Sequence, residues 1–313
     1  MKNAILTVTL NPSLDKTITL SSFYEGGLNR AVAVRSDAGG KGINVAKVLT
    51  LFDAEVVATG VMGEDGSDVI LAELQERGLQ HDFYMTKGTT RTNYKLLNEA
   101  TRKVTEINEP GFFVSQEALA RVIEKIEKKL PDVAVMVLAG SAARGISDDI
   151  YEQLTILAHK HHVKVILDAD GDKLKAGLQA EPYAIKPNLR ELEGLHGGAF
   201  STDEAMYAFC RSLLNQNTKL VIVSLGKDGA AYITEKEAWR IKLPPANSQS
   251  TVGAGDSMVA MTAFSLIKGF PLQALAELAS AAGTITATKP GTEVCRPEEV
   301  EAYRTQLKAQ RLW

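Results

Sequence analysis

Short runs of apolar residues alternate with longer stretches of helical periodicity along most of the chain. The apolar runs have the length of buried strands and lie at residues 4–10, 55–60, 133–139, 164–168, 183–186 and 220–224. The helical stretches between them are residues 42–52, 67–77, 116–130, 148–162 and 203–215. The last opens with Ser201-Thr202-Asp203-Glu204, in which Ser201 and Glu204 have the spacing of a capping box. This alternation is typical of βαβ units, so the pattern predicts an α/β fold with helices on both faces of a mostly parallel central sheet.

Two segments interrupt the alternation. Residues 16–34 and 91–108 are rich in Thr, Tyr, Val and Ile with a period of two, and no helix separates their strands. They predict a small antiparallel β lid outside the main sheet, with segments near 13–36 and 88–110, that covers a cleft or meets a partner chain. No linker or shift in composition marks a boundary, so we expect one domain over residues 1–313.

Composition and charge narrow the class of protein. The chain has 313 residues, 45% of them hydrophobic, with 35 Lys+Arg against 38 Asp+Glu and a net charge of −3. Such a balance offers no basic surface for nucleic acid or for an anionic membrane. No apolar run approaches the ~18 residues of a membrane span. The two cysteines, Cys210 and Cys295, lie far apart, which favours a reducing compartment, so a cytoplasmic protein is expected.

The first candidate for chemistry is a glycine-rich loop at residues 38–42, which reads Ala-Gly-Gly-Lys-Gly and precedes a helical pattern. Its backbone amides can approach a ligand at a helix N-terminus, and Lys41 adds a charge suited to phosphate. The alternative is an ordinary turn whose glycines only supply positive φ angles. The loop by itself does not decide between these interpretations.

The second candidate is the segment Val252-Gly253-Ala254-Gly255-Asp256, in which a glycine-flanked turn runs into a helix. Successive free amides there form an anion hole. A carboxylate in that turn is explained if Asp256 takes a proton from a hydroxyl while the amides stabilise a transferring phosphoryl group. The alternative is an N-terminal Asp that is favoured by the helix dipole alone.

Two common nucleotide-binding patterns do not occur in the sequence. Gly40-Lys41 is followed by Gly42 and Gly226-Lys227 by Asp228, so neither forms a G-x-x-x-x-G-K-[ST] loop. No G-x-G-x-x-G follows the first apolar run. A P-loop nucleotide-binding protein and a nicotinamide-dependent oxidoreductase are therefore disfavoured.

Taken together, the motifs of the chain resemble the PfkB family of sugar kinases, which have the ribokinase-like fold. Residues 38–46 with Gly60 and Gly66 match the first family signature, and residues 250–260 match the second. Residues 11–15, 186–188 with Glu191, and 224–226 match in the expected order. The resemblance spans nearly the whole chain and implies a three-layer α/β/α fold. It is strongest to the hexose-phosphate branch of 1-phosphofructokinases and tagatose-6-phosphate kinases.

The resemblance implies a role for each matching residue on the sugar side. Asp256 would be the catalytic base, and Gly253, Ala254 and Gly255 would form its anion hole. The sugar would be bound by Asp15, Gly39, Gly40, Asn44 and Ser141, and its phosphate by Lys41, Arg91 and Arg30. One loop departs from the family pattern Gly-Ser-Leu-Pro-x-Gly: residues 140–145 read Gly-Ser-Ala-Ala-Arg-Gly, without the proline and with Arg144.

On the nucleotide side, the resemblance implies ATP, Mg²⁺ and a monovalent cation such as K⁺. Lys186, Asn188 and Glu191 would face the triphosphate, and the last two would hold Mg²⁺ through water. The phosphates would be lined by Ser224, Gly226 and Gly229, adenine would be covered by the helix with Ala279 and Gly283, and the monovalent cation would lie near Thr251 and Gly291. Asp168, at the end of a strand, is a further candidate near the nucleotide.

The expected activity is ATP-dependent phosphorylation of a ketohexose phosphate. Fructose 1-phosphate is the leading substrate, with tagatose 6-phosphate and fructose 6-phosphate as alternatives within the family. An alternative of another class is a sugar-phosphate-binding regulator without catalysis, because a fold does not prove an activity. The resemblance also implies a homodimer formed through the β lid.

Overall fold

The computed structural model describes residues 2–244 and 252–313. The strands of this part of the chain are β1 (Ala4–Thr9), β2 (Ser13–Leu20), β3 (Ala33–Gly39), β4 (Val56–Asp65), β5 (Gln80–Thr89), β6 (Arg91–Asn98), β7 (Lys103–Asn108), β8 (Val133–Ala139), β9 (Lys164–Asp168), β10 (Ala184–Ile185), β11 (Leu220–Ser224), β12 (Ala230–Ile233), β13 (Ala238–Lys242) and β14 (Lys308–Arg311). The helices are α1 (Lys41–Leu51), α2 (Asp68–Glu76), α3 (Gln116–Glu127), α4 (Ile150–Lys160), α5 (Gly171–Gln179), α6 (Leu189–His196), α7 (Asp203–Ser212), α8 (Ala254–Lys268), α9 (Leu272–Ala287) and α10 (Pro297–Arg304).

A large sheet forms the centre of the molecule, and within the described ranges it has ten strands in the order β14-β13-β12-β11-β10-β9-β8-β1-β4-β5. The strands from β11 to β5 are parallel, whereas β12, β13 and β14 extend the β11 edge in antiparallel pairs. The predicted mostly parallel sheet is confirmed. The pattern did not predict β5 or the three antiparallel strands, since these are short or carry many polar residues.

Helices cover both faces of this sheet. Along β1, Ile5 belongs to a core cluster with α1, α2, α8, α9 and α10, whereas its neighbour Leu6 belongs to a second cluster with α3 to α7. Successive side chains of a strand point to opposite faces, so the wholly buried β1 reads as a continuous apolar run. The three-layer α/β/α arrangement is confirmed.

A separate four-stranded sheet has the order β3-β2-β6-β7 within the described residues. The β2–β3 and β6–β7 pairs are antiparallel as predicted, but β2 and β6 pair in parallel, with Ser13 opposite Arg91. The prediction of a purely antiparallel lid is therefore wrong. The reason is topological: β2 continues from β1 and β6 from β5, and β1 and β5 are parallel, so both lid strands leave the carboxyl edge of the main sheet in the same direction.

The predicted cap of α7 is also wrong. The helix begins at Asp203, and the N-cap is Thr202, whose hydroxyl accepts a hydrogen bond from the backbone N–H of Ala205. Glu204 then occupies the second helical position, where its side chain is one residue too early to bond back to the cap. No described helix is both long and apolar enough to cross a membrane.

Candidate active site

The carboxyl ends of the parallel strands bring polar residues from distant parts of the sequence to one edge of the sheet. Asp168 ends β9, Lys186 follows β10, and Gly140 follows β8 and donates its backbone N–H to the carbonyl of Asp168 at 3.0 Å. The helices α1 and α8 begin at the same edge with Lys41 and Asp256 in their first turns. Ligands of open α/β sheets bind at this edge.

Asp256 is buried in the first turn of α8, with 5% of its surface exposed. The side-chain N–H of Asn44 on α1 donates to Asp256 Oδ2 at 2.8 Å, so two predicted residues 212 positions apart are brought together. Burial raises the pKa of Asp256 to about 6, and the nearby Asp168 adds to that rise, while Lys41, Asn44 and Lys186 oppose it. A carboxylate with a pKa near the working pH is suited to accept a proton.

Asp168 links two of the predicted lysines. Its Oδ1 accepts from Lys41 Nζ at 3.2 Å and from Lys186 Nζ at 3.3 Å. Burial acts to raise the pKa of Asp168, but the two ammonium groups outweigh burial and hold that pKa below its usual value. The same neighbourhood, chiefly Asp168, raises the pKa of Lys41 against the effect of burial. The sequence suggested only a minor position for Asp168, whereas the structure makes it the residue that orients both ammonium groups.

Asp15 lies in a buried polar network of the lid sheet. Its Oδ1 accepts from Ser13 Oγ at 2.8 Å and from Asn93 Nδ2 at 3.1 Å, and its Oδ2 pairs with Lys95 Nζ at 2.8 Å. Gly39 passes so close that a Cβ there would lie 2.5 Å from Asp15 Oδ1, which explains the need for glycine. Sequence reasoning missed Lys95, although residues 91, 93 and 95 alternate along β6 and therefore share one face.

Arg91 is held by main-chain carbonyls. Its Nη1 donates to the carbonyl of Glu109 at 3.2 Å and its Nη2 to that of Asn11 at 3.1 Å. The Asn11 side chain in turn donates to Ser141 Oγ at 3.4 Å, so Ser141 lies near Arg91. Burial lowers the pKa of Arg91. Arg30 is exposed in the segment between β2 and β3 and bonds to no described residue, so the three predicted phosphate-binding cations share no partner.

The predicted magnesium residues form a helix cap. The backbone N–H of Glu191 donates to Asn188 Oδ1 at 2.9 Å, and the backbone N–H of Asn188 donates to Glu191 Oε2 at 2.8 Å, which is a reciprocal capping box at the start of α6. Ser224 bridges to Asn188 in parallel, which places the end of β11 beside this cap. These contacts explain both residues structurally, and their nucleotide and metal roles stay predictions.

The remaining predicted residues lie around the nucleotide side or outside it. Gly226 and Gly229 bound a short turn after β11, and Gly229 packs on the carbonyl of Ile241. Ala279 and Gly283 are buried on α9, where Gly283 packs against α8, and neither offers an open surface. Gly40 is the N-cap of α1, and Gly253, Ala254 and Gly255 open α8, with Gly255 next to Lys186. Thr251 lies outside the described residues.

Buried polar atoms without partners are gathered at this edge. Within residues 2–244 and 252–313 they include Thr9 Oγ1, Asn11 Oδ1, Asn44 Oδ1, Asn93 Oδ1 and Asp168 Oδ2. Buried polar groups in native proteins almost always have a hydrogen-bond partner, in protein or in ordered water. Their concentration around Asp256, Asp168 and the lid residues indicates a polar binding site.

Comparison with known proteins agrees with this geometry. Residues 8–299 match the model of the pfkB family carbohydrate kinases. The chain belongs to this family. It is therefore a phosphotransferase that acts on an alcohol group, and kinases of the family use ATP.

This pfkB kinase is similar to proteins described as 1-phosphofructokinase. The protein of Xanthomonas campestris pv. campestris is 38% identical, with 96% of this chain and 92% of the relative covered, and that of Bacillus subtilis is 34% identical, with 98% and 100% covered. Among solved structures, phosphofructokinase-2 from Escherichia coli in complex with potassium has a TM-score of 0.90 at 26% identity, with 97% of this chain and 99% of that chain covered. The same E. coli protein is known with substrates and products, with fructose-6-phosphate and as a tetrameric inhibited form.

Proposed function

We propose that the chain transfers the terminal phosphoryl group of ATP to a hydroxyl of fructose 1-phosphate and forms fructose 1,6-bisphosphate. The observation that carries this proposal is the state of Asp256, buried at a helix N-terminus with its pKa raised to about 6 and bonded to Asn44. Asp256 accepts the proton of the sugar hydroxyl. The backbone amides of residues 253–255 stabilise negative charge on the transferring group, as preorganised donors do in water-excluded sites.

The state of Arg91 supports a sugar that already carries a phosphate. Its side chain is half-buried, the two atoms to which it donates are neutral carbonyls, and its buried Nε has no partner among the described residues. A half-buried guanidinium without a salt bridge is available to a dianionic phosphate, which forms stronger, charge-assisted hydrogen bonds with it than carbonyls do. Lys41 differs, because Asp168 already pairs with it, so we assign the main phosphate contact to Arg91 and keep Lys41 and Arg30 as further candidates.

The choice of fructose 1-phosphate is supported by the curated relatives. Four proteins described as 1-phosphofructokinase are 30–38% identical to the chain over nearly its full length. Fructose 6-phosphate is the second candidate, because the E. coli phosphofructokinase-2 structure with fructose-6-phosphate has a TM-score of 0.87 at 26% identity. Tagatose 6-phosphate is a third ketohexose phosphate to test.

The donor side suits a metal-bound nucleotide. No cluster of three or more His, Cys, Asp or Glu side chains in the described residues could hold a metal by itself. Mg²⁺ would therefore be bound mainly by phosphate oxygens and by water held by Asn188 and Glu191, and it would neutralise charge on the phosphates. Lys186, oriented by Asp168 next to Gly255, contributes a positive charge at the start of α8.

A monovalent cation such as K⁺ is proposed near Gly291. Gly291 packs beside Asp37, Thr17 and Arg35. Asp37 Oδ1 pairs with Arg35 Nε at 2.8 Å, whereas Asp37 Oδ2 and Thr17 Oγ1 are buried and have no partner among residues 2–244 and 252–313. Oxygen atoms of this kind are the ligands that hard cations prefer. The potassium complex of E. coli phosphofructokinase-2 supports the proposal, and Thr251, the other expected contributor, lies outside the described residues.

We also propose that the whole chain acts as one kinase unit that dimerises in the cytoplasm through its lid. The outer face of the lid exposes apolar side chains, among them Leu28, Val32, Val34 and Ile107, each more than half exposed. Exposed apolar patches of this kind mark interfaces between proteins. The tetrameric form of the E. coli relative supports self-association.

The proposal is tested by measuring ADP release with Mg-ATP and each of the three ketohexose phosphates, with free fructose as the matched control. We expect the highest kcat/KM with fructose 1-phosphate and a much lower value with fructose. Equal rates with free fructose would show that Arg91 does not bind a phosphate of the substrate. A higher kcat/KM with tagatose 6-phosphate or fructose 6-phosphate would replace the proposed substrate, and no ADP release with any of them would refute the proposed activity.

A further inference from the structure

A cavity lies on the outer side of the segment that follows β7. It has a volume of about 580 Å³ and is lined by Thr86, Lys87, Gly88, Thr89, Gly111, Phe112, Phe113, Ser115 and Arg144. None of these residues belongs to the site described above. The cavity includes Arg144, the arginine by which the 140–145 loop departs from the family pattern.

The charged residues that line this cavity are all cations. Lys87 and Arg144 line it, and no described carboxylate does. Both side chains are exposed, and neither forms a salt bridge with a described residue. The Arg144 guanidinium donates from Nε to the carbonyl of Gly111 at 3.2 Å. The nearby carboxylate of Glu109 is turned away, because its Oε2 accepts from the backbone N–H of Thr92 at 2.8 Å.

Two further features of the cavity suit an anion with a flat apolar part. Ser115 is the N-cap of the twelve-residue α3, so the positive end of that helix dipole adjoins the cavity. Phe113 is 62% exposed, and its ring packs against Gly145 on one side. An exposed aromatic ring beside two cations offers a stacking surface next to a phosphate-binding position.

The cavity is separated from Arg91 by a single stretch of backbone. Gly111 has a φ of 87° and packs against Asn11, where a Cβ would lie 2.4 Å from the Asn11 side-chain oxygen, while its carbonyl faces Arg144 on the other side. The carbonyl of Asn11 accepts from Arg91. Lys87 and Arg144 therefore face the cavity, whereas Arg91 lies on the side of the candidate active site. Substitution of the cavity cations and substitution of Arg91 should affect different ligands.

We propose that this cavity is a second anion-binding site, built for a small phosphate monoester with an aromatic or similarly flat group, with Lys87 and Arg144 as the phosphate ligands and Phe113 as the stacking surface. The proposal does not depend on the substrate assigned above, because it concerns residues outside the candidate active site.

The test measures the binding of phenyl phosphate to the full chain by isothermal titration calorimetry, with phenol as the probe without a phosphate. We expect one phenyl phosphate per chain to be bound at this cavity. Lys87→Ala and Arg144→Ala each weaken that binding about tenfold or more, since each removes a charged hydrogen-bond donor. Arg144→Lys retains most of the affinity, and phenol does not bind.

Two control variants locate the binding. Arg91→Ala removes the cation of the sugar site, and Arg121→Ala removes an exposed arginine of α3 that pairs with Glu124. Both should leave the phenyl phosphate affinity within twofold of the wild type. The proposal is overturned if phenyl phosphate does not bind at millimolar concentration, if neither cavity variant weakens it, or if Arg91→Ala alone abolishes it. The experiment measures binding and not turnover, so its result can be interpreted even if the proposed substrate is wrong.

Discussion

Replacing Asp256 by asparagine separates its chemical role from its structural one. Asp256→Asn keeps the shape of the side chain, and the amide oxygen can still accept the 2.8 Å hydrogen bond from Asn44. The amide cannot accept a proton from a sugar hydroxyl. General base catalysis contributes about 10²–10⁴-fold, so kcat should fall by about that factor while the KM for ATP changes little.

The same substitution should lower kcat but raise the free energy of unfolding. Burial raises the pKa of Asp256 from 3.8 to about 6 in the folded chain. The folded state then binds the proton more tightly than the unfolded state. The wild type therefore loses stability as the pH rises from about 4 to about 6. A rise of about two pKa units corresponds to a loss of about 3 kcal/mol. Asparagine stays neutral, so at pH 8 the variant should have a free energy of unfolding higher than the wild type by up to about 3 kcal/mol.

The assay combines ADP release with urea unfolding of both proteins at pH 4.5, 6 and 8. We expect the gap in unfolding free energy to open as the pH rises, while the kcat of the wild type falls as the pH drops below about 6. A variant that keeps wild-type turnover would falsify the role of Asp256 as base. A variant that is destabilised equally at all three pH values would show that the carboxylate is not held in a penalised, ionisable state.

Three further substitutions test the neighbours of this group. Arg91→Ala should raise the KM for the sugar phosphate about tenfold or more and leave the KM for ATP unchanged, as steady-state kinetics would show; equal changes in both would contradict a specific phosphate contact. Lys95→Met leaves the carboxylate of Asp15 buried without its ammonium partner, so urea unfolding should show a loss of about 3–5 kcal/mol, and a loss below about 1 kcal/mol would argue against that pair. Asp168→Asn removes a negative charge that raises the pKa of Asp256, and it frees two lysines to stabilise the Asp256 carboxylate. The acid limb of the pH profile of kcat should therefore move to lower pH. An unchanged limb would contradict this coupling.

Much of the fold was predictable because its signals are local. The runs at residues 133–139, 164–168 and 220–224 coincide with β8, β9 and β11, since strands buried on both faces are continuously apolar. The direction of β6 relative to β2 was not predictable from either segment, because a period of two is the same in parallel and antiparallel pairs. The two four-residue strands β12 and β14 carry too few residues to produce a pattern.

The candidate site divides in the same way. The glycine loops marked Asp256 and Lys41, because tight turns before helices require particular residues in sequence. Lys95 and Asp168 carry no such local mark, and their importance depends on a partner 80 residues away in one case and on two lysines from different elements in the other. Asn188 and Glu191 do have a recognisable local spacing, but the same spacing forms a helix cap, so it does not by itself indicate a ligand.

The sequence alone determined that parallel strands would end at one edge and that two helices would begin there with a lysine and an aspartate, because apolar periodicity and glycine turns act over a few residues. Only the tertiary structure decided which charges neutralise one another: that Asp168 holds the lysines, that Arg91 has carbonyl partners and that Asp256 has an amide partner. The physical reason is that the energy of a buried charge depends on distances of a few ångströms between residues that lie as many as 212 positions apart in the chain.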